Sequence, residues 1–347
     1  MVDAQAQSQL MRTLFVIGLG VVTICTCDPR FVLHKCLLFL LGLAHLILSR
    51  DRKWSKRKLP DPDEIKHCKD CRKIRLIFIR HGESEWNEVF NKGKIKIFPR
   101  FIRALFRELG LFFTGDSIFI DSPLNEEGLS QVHALRQYLR APAPPSAPPV
   151  VRSAIAVLRG EHGAPSSVVV ASNLRRAIAT ATIGLWDRLR RNKERVKIMT
   201  ECQEMSRNID TLALAPPKSV PDLSGNCGSL PGWRADTSYE TKHNSGNKAL
   251  FGTNGLKRMK AFNAWAFDQL DEPNGVSTIV IGGHSLWFRT FFQTFLPKSS
   301  AHSAKKKKMV NCGVISFNLT TAQAASGAVV YRIAEESICV VYGGFEK

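Results

Sequence analysis

The stretch "LIFIRHGESEWN", residues 76–87, joins an apolar run to a charged turn and decides the fold prediction. The run "LIFI" has the continuous apolar character of a strand that is buried on both faces. Arg80 and His81 follow directly, and Gly82 and Ser84 then indicate a turn into a helix. Open parallel sheets present reactive groups where their strands end, so this junction predicts an anion site at such an edge.

Two later strand patterns end in the same way. The run "SSVVVAS" is followed by Arg175 and Arg176, and the run "STIVIGG" is followed by His284. The carboxyl ends of parallel strands meet at one edge of a sheet, so these side chains are expected to converge on one crevice with His81. Cations packed together repel and need an anion between them, and a phosphoryl group with its several oxygens fits that requirement.

Strand patterns alternate with helix patterns along most of the chain. Examples of the helix pattern are "NEEGLSQVHALRQYLR" at 125–140 and "GLKRMKAFNAWAFDQL" at 255–270. This alternation predicts an α/β three-layer sandwich with a mostly parallel central sheet. We place the catalytic domain at residues 73–347, with insertions near 90–120, 141–165 and 216–255.

The composition narrows the class of partner. The net charge of +19 and a pI of about 9.8 indicate anionic partners, and 44% hydrophobic residues suffice for a buried core. A nucleic-acid partner is not predicted, because no motif for one is present. Nine cysteines without a regular framework favour a reducing compartment. Cys68 and Cys71 form a lone CxxC beside His67; a structural zinc needs four ligands, and we predict neither a metal nor another cofactor.

Residues 1–49 are predicted to be an apolar membrane anchor. Its two apolar segments, 14–25 and 31–49, suit one span or a hairpin, with a cleaved signal peptide as the alternative. Residues 50–72 are predicted to be a basic juxtamembrane linker. It opens with "RDRKWSKRK", which favours an anionic membrane surface and a catalytic domain that faces the cytoplasm.

Four motifs resemble those of the histidine phosphatase superfamily, the phosphoglycerate mutase-like enzymes. The stretch at 76–87 is similar to the Arg-His-Gly signature, and "SNLRRAIATA" at 172–181 resembles the family's Ser-x-Leu-x-Arg-Ala segment. "DSPLNEEGLSQ" at 121–131 is similar to its Pro-Leu-Thr-x-x-Gly-x-x-Gln segment, and "GGHSLWFR" at 282–289 resembles its second-histidine segment. The resemblance covers about residues 73 to 345.

The resemblance implies roles for four side chains. His81 would be the nucleophile that accepts the phosphoryl group, with Arg80, Arg176 and His284 holding the phosphate oxygens. A neutral imidazole is a competent acceptor, and the surrounding cations offset the charge that grows on the transferring group. Arg175 leaves the register open by one residue, and the family spacing favours Arg176.

The leaving group needs a proton, which the family takes from a carboxylic acid. "TECQEMSRN", which begins at Thr200, offers Glu204 as the better match and Glu201 as the alternative. Asn87 and Ser84 are predicted to line the pocket as neutral donors, although Ser84 could equally cap a helix.

The insertion near 90–120 departs from the mutase pattern, so we expect hydrolysis of phosphomonoesters rather than phosphoglycerate interconversion. Its stretch "PRFIRALFRELGLFF" (99–113) predicts a basic amphipathic helix that lies on a membrane, covers the site mouth, or packs on the domain. The expected substrate is a phosphorylated small molecule or a phosphoprotein. The alternatives are a mutase-type phosphotransferase and a non-catalytic anion-binding or scaffolding module on the same fold.

Overall fold

The computed structural model describes residues 29–54, 59–93, 97–248, 253–272 and 275–346. Its strands are β1 (Arg72–Arg80), β2 (Ser167–Ser172), β3 (Val196–Met199), β4 (Tyr239–Glu240), β5 (Thr278–Gly283), β6 (Val314–Gln323), β7 (Val329–Ile333) and β8 (Cys339–Tyr342). They form one eight-stranded sheet in the order β4-β3-β2-β5-β1-β6-β7, with β8 also paired to β6. The first five strands in that order are parallel, and β6 to β8 add antiparallel pairs. The prediction of a mostly parallel sheet is confirmed.

Helices cover both faces of the sheet. They are α1 (Pro29–Leu48), α2 (Glu85–Phe90), α3 (Ile97–Gly110), α4 (Glu126–Arg140), α5 (Pro149–Arg159), α6 (Arg175–Gly184), α7 (Trp186–Asn192), α8 (Ser224–Cys227), α9 (Ala235–Ser238), α10 (Gly255–Asp271) and α11 (Ser285–Phe295). Capping side chains define the residue at which several of these helices begin. The Asn125 side chain, for example, accepts a hydrogen bond from the Gly128 N–H at 2.8 Å and begins α4.

Successive side chains of β1 point to opposite faces of the sheet, and the core is therefore divided into two layers. Ile77 and Ile79 point to one face, where they join the cluster built with α4, α5, α6 and α7. Leu76 and Phe78 point to the other face, where they join the cluster built with α10 and α11. Successive strand residues face opposite sides of a sheet, so one continuous apolar run serves both layers. The three-layer sandwich follows from this arrangement.

The register of the central strands brings three chain segments to one edge. Arg80 at the end of β1 lies opposite Gly283 at the end of β5, and Ala171 near the end of β2 lies opposite Gly282. The residues that follow these strands, among them His81 and His284, therefore leave the sheet side by side.

Two of the predicted insertions contain secondary structure of their own. The Pro-rich stretch from 141 leads directly into α5, and Pro149 at its first turn is compatible with a helix start, since its missing N–H has no helical partner there. The insertion near 216–255 contains α8, α9 and β4. After β2, the helical stretch is divided at Leu185 into α6 and α7.

Helix α1 packs against the segment that follows β3. Leu38 is buried in a small cluster with Leu212 and Leu214, and the His34 Nε2–H donates to the Leu214 carbonyl at 3.1 Å. Near the other end, the His45 Nε2–H donates to the Ser206 carbonyl at 2.9 Å. The second apolar segment of the sequence is thus a helix held along its length by the domain. The first apolar segment, 14–25, lies outside the described residues.

The chain remains in contact with the domain after α1. Asp51 is 5% exposed, and its carboxylate lies 2.7 Å from Lys248 Nζ and 2.6 Å from an Arg258 guanidinium nitrogen. Further on, Ile65 packs against Ala322 and Val330 beneath β6 and β7. Residues 55–58, in the basic stretch predicted as a linker, lie outside the described residues.

The loop that carries His81 rests directly on the start of α4. A Cβ on Gly82 would lie 2.7 Å from the Gly128 carbonyl oxygen, and a Cβ on Gly128 would collide with the Glu83 backbone. Only glycine allows the two backbones to approach this closely.

We therefore expect Gly128→Ala to lower the free energy of unfolding by about 1–3 kcal/mol and to reduce activity by displacing the His81 loop. Gly225→Ala is the matched control, because a Cβ there meets nothing within 4 Å. Chemical denaturation and turnover measure both effects. A Gly128→Ala protein as stable as the control would contradict this account of the loop.

Candidate active site

His81 lies immediately beyond β1, where backbone hydrogen bonds hold it in place. Its N–H donates to the Gly283 carbonyl at 2.9 Å, and the next N–H, that of Gly82, donates to Thr180 Oγ1 at 3.1 Å. The ring Nδ1 lies 2.6 Å from the Gly82 carbonyl oxygen. A carbonyl can only accept, so Nδ1 carries the proton and Nε2 keeps its lone pair. This is the tautomer that a nucleophilic Nε2 requires.

His284 stands beside His81, at the start of α11. The two ring centroids are 5.1 Å apart with an interplanar angle of 58°. His284 is fully buried, and neither of its ring nitrogens has a hydrogen-bond partner among the described residues. A buried polar group without a partner is costly, so these nitrogens are suited to a ligand.

Both imidazoles are neutral at neutral pH. Burial, followed by the charges of Arg176 and Arg80, holds the pKa of His81 well below its usual range. Burial and then Arg176 act on the pKa of His284 in the same direction. Protonation therefore does not block the lone pair of His81.

Arg176 and Arg175 differ in their partners, which bears on the one-residue ambiguity of the sequence. Arg176 is 2% exposed, lies 3.1 Å from an Asp210 carboxylate oxygen, and shifts the pKa of both histidines. Arg175 instead binds the Asp121 carbonyl at 2.7 Å and the Asp116 carboxylate. Arg176 is thus the member of the pair next to the histidines, and Arg175 fixes the turn before α4.

Arg80 completes the group of cations. Its guanidinium lies 2.9 Å from Glu346 Oε1 and also donates to the Met309 carbonyl. Its Nε is buried without a partner in the described part of the chain. Arg80 therefore has an unused donor, like His284.

The two candidate proton donors occupy different settings. Glu204 is 6% exposed, and its Oε1 accepts from the N–H groups of Met205 at 2.8 Å and Trp287 at 2.9 Å. Its Oε2 is 3.4 Å from the Leu286 N–H, at the start of α11. Glu201 is partly buried, and its Oε2 has no partner among the residues described.

Ser84 and Asn87 make local contacts at the start of α2. The Ser84 hydroxyl accepts from the Asn87 N–H at 3.3 Å, which is the capping role left open for it by the sequence. The Asn87 side chain accepts from the Asn91 side chain at 2.7 Å. Their predicted role as phosphate donors stays a prediction.

Two buried charged residues near the site belong to none of the sequence motifs. Asp210 pairs with Arg176, and Lys248 donates to the carbonyls of Glu204 at 2.5 Å and Ser206 at 3.2 Å. Burial lowers the pKa of Lys248 to about 8, against the opposing influence of Asp51. Asp51, the one acidic residue of "RDRKWSKRK", pairs with Lys248, and its sequence pattern did not indicate this contact.

Within the described ranges, no group of three or more His, Cys, Asp or Glu side chains could hold a metal ion. Cys68 and Cys71 donate to backbone carbonyls instead.

No protein-family model and no curated protein matches the chain. Solved structures do. The similar structures are histidine phosphatase superfamily members. A mycobacterial glucosyl-3-phosphoglycerate phosphatase in complex with VO3 is 16% identical, with a TM-score of 0.36, over 75% of this chain and 96% of that one.

A putative alpha-ribazole-5'-P phosphatase from Escherichia coli is 16% identical, with a TM-score of 0.34, over 75% of this chain and 95% of that one. A phosphoserine phosphatase mutant from Entamoeba histolytica, in complex with phosphoserine, is 16% identical, with a TM-score of 0.32, over 75% and 96%. At these identities and TM-scores the similarity carries no argument about the substrate or mechanism of this chain.

Proposed function

We propose that this chain hydrolyses phosphomonoesters through a phosphoryl group carried transiently on His81. The observation that carries the proposal is the set of buried, unpartnered nitrogens on His284 and Arg80 beside a neutral His81. A site of this kind, with donors that no described protein group satisfies, suits an anion with several oxygens.

The chemistry follows from the charges. The Nε2 lone pair of His81 attacks phosphorus while Arg80, Arg176 and His284 donate to the phosphate oxygens. Charge that develops on these oxygens is offset by the two guanidiniums, so the reaction does not depend on a metal. The sequence predicts that Glu204 gives the proton to the leaving oxygen. Water then attacks the phosphohistidine and releases inorganic phosphate.

Two alternatives use the same fold. A mutase-type phosphotransferase would return the phosphoryl group to a second hydroxyl, and the long insertion that holds α3 argues against it. A non-catalytic anion-binding or scaffolding module would not need the full set of His81, Arg80, Arg176 and His284, and all four lie at this strand edge. Hydrolysis of a phosphorylated small molecule or phosphoprotein is therefore preferred.

We expect His81→Ala to abolish turnover of phosphomonoesters while the circular dichroism spectrum and the thermal transition stay close to those of the wild type, since the change removes only the acceptor nitrogen. His133→Ala, on the solvent side of α4, is the matched control and should keep full activity. Treatment with EDTA should leave the wild-type rate unchanged. Turnover that survives in His81→Ala would refute the mechanism.

We further propose that the enzyme is attached to a membrane and that its catalytic domain faces the cytoplasm. One helix in the part of the chain that the structure describes, Arg30–Leu48, is long and apolar enough to cross a bilayer by length and composition. The basic residues after it would meet the anionic headgroups of the cytoplasmic leaflet, with a contribution of about 1 kcal/mol each.

Membrane fractionation and protease protection test this attachment with the full chain. The protein should sediment with the membrane fraction at physiological ionic strength, and protease added to sealed vesicles whose cytoplasmic side faces outward should cut the catalytic domain. A catalytic domain protected inside such vesicles would mean the opposite orientation. A chain found only in the soluble fraction is not attached.

A further inference from the structure

The exposed apolar side chains of this protein are concentrated in one place. Among the described residues, the large hydrophobic side chains exposed to solvent lie in α1, in α3 or at Phe113, apart from three valines at 150, 329 and 340. On α1 they are Phe31, Leu33, Leu37, Leu40, Leu43, Leu46, Ile47 and Leu48, and on α3 they are Ile97, Phe98, Phe101, Leu105, Phe106 and Leu109. Apolar patches of this extent mark an interaction surface.

The two helices are neighbours. Lys35 of α1 is buried, and its Nζ donates to the Leu111 carbonyl at 2.7 Å and lies 3.7 Å from Glu108 of α3. Phe39 of α1 packs against the small core beneath α3 that contains Ala104. The two helices therefore pack together, and each also carries exposed apolar side chains.

Helix α1 is covered by protein on one side from end to end. Leu38 and His45 are buried on that side, whereas Leu33, Leu40 and Ile47 on the other side are 62%, 63% and 75% exposed. A helix that crosses a bilayer is surrounded by lipid or by other spanning segments, which a domain-covered side does not allow. An amphipathic helix in the plane of the interface instead needs one apolar side and one side in contact with polar material.

The charges around this surface match an anionic bilayer. Arg50, Arg52 and Lys53 follow α1 and are exposed, and Arg103 is exposed on α3. Basic residues next to inserted apolar side chains are attracted to anionic headgroups. We propose that α1 and α3 together form one surface that lies in the plane of an anionic membrane, with α1 in the interface rather than across it; this rests on the proposed membrane attachment.

Depth-dependent quenching in the full chain tests the geometry. A fluorescent noncanonical amino acid is placed, one position at a time, at Leu33, Leu40, Ile47 and Phe106, and at Val329 as the control far from this surface. The protein is reconstituted in phosphatidylcholine and phosphatidylserine vesicles whose acyl chains are brominated at defined depths. The three α1 positions and Phe106 should be quenched at one shallow depth, about 5–10 Å into the boundary region, and Val329 should not be quenched.

A label at Leu40 that is quenched near the bilayer centre, with the labels at Leu33 and Ile47 quenched near opposite surfaces, would mean that α1 spans the membrane. This result would overturn the proposal. Absence of quenching at Phe106 would remove α3 from the surface, and absence of quenching at every position would mean a protein partner or a second copy in place of lipid. The same measurements on His81→Ala should give the same depths, so a failure of the phosphatase mechanism would not be confused with a failure of the membrane geometry.

Asp210 lies beside Arg176 in the candidate site. Its Oδ2 lies 3.1 Å from the Arg176 guanidinium, whose other nitrogen donates to the Asp210 carbonyl at 2.9 Å. Asp210 is 5% exposed, and its Oδ1 is buried without a partner in the described residues. A carboxyl oxygen thus stands beside the guanidinium that is proposed to hold the phosphate, with no protein group to bind.

Glu204 and Asp210 differ in how their carboxyl oxygens are occupied. Backbone N–H groups at Met205 and at the start of α11 already donate to both oxygens of Glu204, whereas Asp210 Oδ1 has no partner among the described residues. Burial raises the pKa of Asp210 to about 6. The charge of Arg176 lowers this pKa, as does Lys248, whereas Glu204 and Asp121 raise it. A phosphate dianion on Arg176 would add negative charge beside Asp210 and favour its protonated form further.

We infer that Asp210, rather than Glu204, gives the proton to the leaving oxygen. As the bond from His81 Nε2 to phosphorus forms and the bond to the ester oxygen breaks, the Asp210 proton passes to that oxygen and an alcohol leaves. The Asp210 carboxylate then takes a proton from the water whose oxygen attacks phosphorus, and His81 departs. Ester and water are converted into alcohol and phosphate, and Asp210 ends in its initial state.

The dependence of the hydrolysis rate on the leaving group distinguishes the two candidate acids, and it is measured in Asp210→Asn and in its matched variant Glu204→Gln. Asp210→Asn should slow glycerol phosphate hydrolysis by about 100- to 10,000-fold, since an alkoxide needs a proton to leave. It should slow dinitrophenyl phosphate far less, because that phenolate leaves unprotonated. Glu204→Gln should affect both substrates to the same degree.

If Glu204→Gln, and not Asp210→Asn, is slowed selectively on glycerol phosphate, the proton comes from Glu204 and the inference is wrong. An Asp210→Asn protein that is slowed equally on both substrates, or on neither, would also overturn it. Wild-type turnover of dinitrophenyl phosphate tests the phosphatase proposal by itself, so the two failures are distinguishable.

Discussion

The parallel pairing of β1 with β5 is the constraint on which the site depends. Because Arg80 lies opposite Gly283 in this register, His81 and His284 follow adjacent strand ends and their rings stand 5.1 Å apart. A shift of one residue would turn the apolar side chains of β1 to the wrong faces of the sheet, so packing of the two cores also fixes the positions of the histidines. The same burial keeps both imidazoles neutral.

The charges around these histidines are arranged for an anion. Arg176 is buried and pairs with Asp210 in the segment that follows β3, and a bound phosphate would supply its counter-charge when Asp210 is protonated. Helix α1 packs on the same segment through Leu38 and His45. The surface proposed to face the membrane and the carboxyl group proposed to move the proton are thus joined by one short stretch of chain.

Much of this architecture could be predicted from local patterns, because buried strands and amphipathic helices have distinct periods and the motif residues follow strand ends. The sequence led to His81, Arg80, Arg176 and His284, and the structure brings them to one sheet edge. Asp210 and Lys248 could not be found this way, since they reach the site through tertiary contacts of irregular segments that have no periodicity. The placement of α1 on the domain was equally hidden, because its length and apolar composition suit a membrane span as well as a packed helix.

In the proposed mechanism a phosphoryl group resides on His81 during turnover. Rapid quenching of the full-length enzyme, mixed with a phosphomonoester that carries a radioactive phosphate, detects this intermediate. The enzyme should carry a label that is stable in alkali and lost in acid, as phosphoramidates are, and that is located in the peptide that contains His81. An enzyme that turns over substrate without labelled protein, or with the label on another residue, would contradict this mechanism.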